Sequence, residues 1–125
     1  MERTTAGRAA GAWLLAAAAF AACGGPRIDV DESQSFRDAS RTHTVEAQVG
    51  EGMDEVRLRL ALELDRGTLA FRVRDPQGVA RWEGEITGGG RLRDRREFPA
   101  LPGTWRLDLE MREASGEYEA RWAAR

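Results

Sequence analysis

From Glu55 to Leu64 apolar and polar residues alternate without a break. Val56, Leu58, Leu60, Leu62 and Leu64 are separated by Arg57, Arg59, Ala61 and Glu63. Successive side chains of a strand point to opposite faces, so this spacing builds one apolar and one polar face. The residue types themselves (Leu, Glu, Arg, Ala) favour helix. A helix would gather Val56, Leu60 and Leu64 but leave Leu58 and Leu62 off that face, so the period decides for a strand that must bury one side.

The same alternation recurs in Val45, Ala47 and Val49; in Leu69, Phe71 and Val73; in Ala80, Trp82, Gly84 and Ile86; in Trp105, Leu107, Leu109 and Met111; and in Tyr118, Ala120 and Trp122. A short strand near Arg95 to Phe98 brings the expected total to about seven. Between these sets lie turn-forming residues: Gly50-Glu51-Gly52, Asp65-Arg66-Gly67, Asp75-Pro76-Gln77-Gly78, Gly88-Gly89-Gly90, Pro102-Gly103 and Ser115-Gly116. Short strands with one apolar face each are satisfied by packing two antiparallel sheets together. The expected fold is all-β, an antiparallel β-sandwich over residues 42–125.

The stretch Phe71 to Gly78, the apolar residues around Phe98, and Leu101 to Leu107 followed by Ser115-Gly116-Glu117-Tyr118 resemble the small jelly-roll-like pre-peptidase C-terminal domains of secreted bacterial proteases. That likeness implies a jelly-roll-like sandwich and carries no site residue with it.

The N-terminus follows another logic. Arg3 and Arg8 precede an apolar run from Ala9 to Ala22, and then come Cys23, Gly24, Gly25 and Pro26. As a helix, fourteen residues span about 21 Å, short of the roughly 30 Å hydrocarbon core, so the run reads as a signal peptide rather than a permanent span. Its end, Phe20-Ala21-Ala22-Cys23, resembles the lipobox of bacterial lipoprotein precursors, with Phe20 standing where an aliphatic residue is usual. The resemblance implies cleavage after residue 22 and acylation of Cys23, the lipid attachment site. Gly24 in place of aspartate implies the outer membrane, facing the periplasm, in a Gram-negative envelope. Ordinary secretion, with Cys23 an incidental thiol, and an uncleaved anchor are the alternatives.

Residues 1–22 are thus the expected signal peptide and 23–41 a lipidated cysteine with a polar tether. In the tether only Ile28, Val30 and Phe36 are apolar. Fully extended it reaches about 60 Å, and as a flexible coil about 20 to 25 Å. Ile28 and Val30 also leave open an edge strand.

Charge and residue counts restrict the chemistry. All 19 basic residues are arginine, set against 21 acids in the whole chain, and the chain from Cys23 onward carries 17 against 20. A broad basic face for nucleic acid is not expected. With one His and one Cys there is no intramolecular disulfide, paired-His metal site or cysteine catalysis once Cys23 is acylated. His43 has no Gly-x-Ser-x-Gly partner motif. The acids Asp29, Asp31 and Glu32 lack the Gly and Glu of a calcium loop. Glu83 with Glu85, and Glu117 with Glu119, are expected on solvent faces in ion pairs with neighbours such as Arg81 and Arg121. No catalytic, cofactor or metal site is therefore expected.

Arg91, Arg93, Arg95 and Arg96 form the densest basic cluster, placed by the triple glycine at a hairpin end where they can meet an anionic partner such as a lipid headgroup or envelope polysaccharide. Trp82, Trp105 and Trp122 lie in phase with aliphatic neighbours and are expected in the core. The functional expectation is a lipid-anchored, non-enzymatic envelope protein that contacts another envelope component, either a protein or a polysaccharide. The alternative is a secreted or anchored carbohydrate- or small-ligand-binding module.

Overall fold

The computed structural model describes residues 28–125; the expected signal peptide, Cys23 and residues 24–27 lie outside the described residues. Five strands follow one another: β1 (Ile28–Val49), β2 (Glu55–Arg74), β3 (Ala80–Thr87), β4 (Arg91–Pro99) and β5 (Gly103–Ala124). All pairings are antiparallel, in the order β1-β5-β2-β3, with β4 also on β2. The all-β expectation holds. The strand count does not, because several expected strands are halves of longer ones.

β1, β2 and β5 run for 22, 20 and 22 residues, well beyond the usual strand length. Each buries one set of alternate residues and then changes phase. In β2 the buried set is Val56 to Leu64 in even positions, then Leu69, Phe71 and Val73 in odd ones; in β5 it is Trp105 to Met111, then Tyr118 to Ala124. The change falls at register shifts between Leu64 and Thr68 in β2 and between Phe36 and Arg41 in β1. A one-residue shift of this kind bends a strand while keeping its apolar set on the inside of the bend.

β3 and β4 complete the pattern. They lie end to end along the same edge of β2, with β3 against Thr68–Arg74 and β4 against Glu55–Glu63. Gly88-Gly89-Gly90, expected as a hairpin end, is therefore the corner of a fourth, interrupted pass. Gly89 donates to the Leu64 carbonyl at 2.7 Å, and the Leu64 N–H donates to Gly90 at 3.0 Å. One sheet thus folds over on itself into two facing layers. The first contains residues 28–36, 116–124, 55–64 and β4. The second contains residues 41–49, 103–111, 68–74 and β3.

Contacts between the layers form the core. Phe98 of the first packs on Trp105 of the second with ring centroids 5.3 Å apart, and Trp105 lies 6.1 Å from Trp122. The Trp122 indole donates to the Val45 carbonyl at 3.1 Å, so its one polar atom is satisfied although the residue is fully buried. Trp82, Trp105 and Trp122 are all buried, as their phase with aliphatic neighbours implies.

The corners explain two misread turns. Asp65-Arg66-Gly67 and Ser115-Gly116 were expected between strands, yet they lie inside β2 and β5. Asp38, Gly67 and Glu113 all have positive φ, at 48°, 88° and 45°, one in each long strand at the corner. Ser40 accepts the Glu113 N–H at 2.9 Å and Ser115 accepts the Asp38 N–H at 3.0 Å, so two hydroxyls satisfy backbone groups that the bent ladder leaves unpaired.

The tether expectation is corrected from Ile28 onward. Ile28 to Phe36 pair with Gly116 to Ala124, making this segment the edge strand of the first layer. Its inward positions after Val30 are Glu32 and Gln34, which is why hydrophobic alternation stops there.

Candidate functional site

Odd-numbered residues of β2 and β4 point out of the first layer, and the register lines them up with β5 and β1. Arg95 stands opposite Arg59, Arg59 opposite Arg121, and Arg121 opposite Asp31. The next row reads Arg93, Ala61, Glu119 and Ser33. Ala61 is the small residue between longer neighbours, and over it opens a shallow depression of about 620 Å³ bordered by Ser33, Arg91, Arg93, Glu117 and Glu119.

Ion pairs sort these arginines. Arg121 holds Asp29 through two contacts of 3.1 and 2.9 Å, which keep the Asp29 carboxyl below its ordinary range. Arg57 is held by Glu55 at 2.9 Å and Glu97 at 3.3 Å, and Arg91 by Glu63 at 3.1 Å. Arg59, Arg93 and Arg95 have no carboxylate partner among the described residues. The face is polarised, because Asp31, Glu117 and Glu119 lie on its β1 and β5 side and the three unpaired arginines on its β2 and β4 side.

The outer face of the second layer is built differently. Its depression of about 700 Å³ lies over Ala70 and Gly84, beside Glu85 and Glu110. There Arg72 pairs with Glu83 at 3.0 Å, Arg74 with Asp108 at 2.6 Å and Arg106 with Glu46 at 3.0 Å. The arginines of this outer face are engaged, so of the two outer faces it is the first layer's that carries open cationic groups.

Of the four arginines expected to act together, Arg93 and Arg95 share that face and Arg91 adjoins it. Arg96 does not. Its guanidinium carbon lies 4.9 Å from the centroid of Trp82, where it closes the gap between β4 and β3 by a cation-π contact. The sequence cluster also omitted Arg59 and Arg121, which only strand register brings into the row. Glu83 pairs with Arg72 rather than Arg81, while Arg81 turns to Asp75. Asp29 and Asp31 point outward and Glu32 inward, so these acids do not converge on a common cation.

A polar cluster that the sequence did not reveal seals the β1 side of the core. Glu32 of the first layer accepts hydrogen bonds from His43 of the second and, at 2.5 Å, from the Tyr118 hydroxyl. Burial and the adjoining Glu32 carboxylate push the Tyr118 phenol well above its ordinary value of 10.0. The unfolded chain therefore ionises this phenol first, and stability present below about pH 10 falls as pH rises further. The chain holds one Tyr and no Lys, so an alkaline loss belongs to Tyr118 with little interference. Urea midpoints at pH 8 and pH 11 are expected to separate in the parent chain and to converge in Tyr118→Phe.

Among the described residues Asp75 is the one buried acid, 3% exposed. Burial pushes its carboxyl up, but the Val79 N–H, Arg81 and the Gln77 N–H together outweigh that and hold it below 3.8. It organises the β2–β3 turn.

No protein-family model matches the chain, and no curated protein matches it. Among solved structures, the chain is similar to a protein of the Bacillus endospore appendages, disulfide-linked pili, at 9% identity over 79% of this chain and 84% of that one, with a TM-score of 0.45. It is similar to TmCBM61, solved with β-1,4-galactotriose, at 18% identity over 79% and 68%, with a TM-score of 0.46. A third likeness is to latent PorU of Porphyromonas gingivalis, at 12% identity, 78% of this chain, 13% of that one and a TM-score of 0.45.

Proposed function

We propose that this protein is a lipid-anchored, non-enzymatic component of a bacterial cell envelope whose sandwich contacts an acidic envelope polysaccharide through the outer face of its first layer. The observation that carries the contact is the set of Arg59, Arg93 and Arg95, aligned across β2 and β4 without carboxylate partners among the described residues. Guanidinium groups carried on adjacent strands about 4.8 Å apart offer planar, bidentate donors side by side, which suits carboxylates repeated along a polymer. The anchor rests on the lipobox-like Phe20 to Cys23. Anchored in a plane, the domain meets a neighbouring polymer at high effective concentration, and modest contacts suffice.

A platform of stacked aromatics is a poor alternative on this face, since Trp82, Trp105 and Trp122 are all in the core. Calorimetric titration of the mature chain with polygalacturonate, a carboxylated polymer, is expected to give binding that weakens with salt. Neutral dextran is expected to give none. In Arg93→Glu/Arg95→Glu affinity is expected to fall at least about tenfold, equivalent to about 1.4 kcal/mol. Stability is expected to stay within about 0.5 kcal/mol because both positions are exposed. Unchanged binding in the folded double variant contradicts the arginine contact.

A further inference from the structure

We infer that the end of the sandwich opposite its corners rests on the phospholipid bilayer, leaving the two broad charged faces standing away from the membrane. This goes beyond the function proposed above but depends on its acylation of Cys23.

The corners gather at one end, and the connections gather at the other. Ile28 pairs with Ala124, Val56 with Ala124, Glu55 with Pro99 and Val49 with Gly103, so the start of β1 belongs to the connection end. Asp54 bonds to the Arg125 carbonyl there, and a side chain on Gly103 would lie 2.6 Å from Pro76.

Ile28 lies five residues beyond Cys23. At full extension that interval spans no more than about 18 Å. The segment from Ile28 to Phe36 then runs about 30 Å towards the corners. An acylated Cys23 thus holds the connection end near the headgroups and puts the corners farthest from them.

Surface chemistry favours the upright stance over lying flat. Val79, in the β2–β3 turn, is the one large apolar residue that stands exposed among the described residues, at 50%. It sits at the connection end, across both layers from Ile28, about 17 Å away from strand and sheet spacings. Ile28, the first described residue after Cys23, and Val79 therefore stand diagonally across the connection end. Partly buried Met53 and Leu101 lie between them, capping the core. Of the charged groups here, Asp29 pairs with Arg121, Glu55 with Arg57 and Arg81 with Asp75, while Glu51, Asp54 and Arg125 stand exposed. Laying the molecule on either broad face would press rows of arginine and carboxylate against lipid, at a larger desolvation cost.

The test uses lipidated protein in phosphatidylcholine vesicles, with one added cysteine per variant: Val79→Cys at the connection end, Arg93→Cys on the first outer face and Arg37→Cys at a corner. Each is labelled with nitrobenzoxadiazole, and quenching by headgroup-spin-labelled lipid is read while intact mass records acylation of Cys23. Acylated protein with quenching at residue 79 at least about threefold above both other sites is the expected result. Acylated protein with equal quenching, no quenching, or stronger quenching at residue 93 overturns the orientation and leaves the anchor standing. A mass without acyl chains overturns the anchor and, with it, this orientation.

Discussion

Gly67→Ala is expected to destabilise the protein by about 4 kcal/mol, a large share of the roughly 5 to 15 kcal/mol that hold an ordinary domain together. Gly67 has φ 88°, where an L side chain costs about 1 to 2 kcal/mol. A methyl group there would also lie 2.2 Å from the Glu113 carbonyl oxygen and 2.6 Å from the Ala114 Cα, both backbone atoms of the neighbouring strand. Relieving that overlap must move β5 at its own corner, adding about 1 to 3 kcal/mol of overpacking. Gly78→Ala is the matched control, with φ 85° and nothing within 4 Å of the added carbon. It is expected to lose only the conformational part. Urea midpoints read both, and equal losses would show that the corners do not depend on close strand approach.

Trp105→Ala is expected to cost about 4 kcal/mol by thermal or urea unfolding. Trp105 is fully buried, packs on Phe98 and Trp122, and donates its indole N–H to the Leu101 carbonyl at 2.9 Å. It therefore joins the two layers and fixes the β4–β5 connection. Trp105→Phe retains much of the apolar contact but leaves Leu101 without its donor, and is expected to cost about half as much. A loss below about 1 kcal/mol in Trp105→Ala would mean that the layers are not joined through this residue.

The strand segments were legible because one-sided burial writes itself as alternation, most plainly from Val56 to Leu64. The corners were not. Gly67, Ser115 and Gly116 have the chemistry of residues that end strands, and here the same chemistry lets a strand bend and continue. Only the neighbouring strand distinguishes the two outcomes, through contacts such as Ser115 with Asp38 and Gly67 with Glu113. The first half of β1 was hidden for another reason. Its inward side chains Glu32 and Gln34 are polar because they meet Tyr118 and His43 at the margin of the core, so the apolar signal fades after Val30. For the candidate site, proximity along the chain groups Arg91, Arg93, Arg95 and Arg96, whereas the fold puts Arg96 over Trp82 and away from the other three. Arg59 enters only through the register between β2 and β4.

Membrane attachment underlies both the proposed contact and the proposed orientation, and the intact mass of protein extracted from the envelope tests it most directly, beside a Cys23→Ala variant. The account requires a chain that begins at Cys23 and carries acyl chains, with the variant lacking both the added mass and the membrane association. An unmodified Cys23, whether the chain is cut elsewhere or not cut, would contradict it.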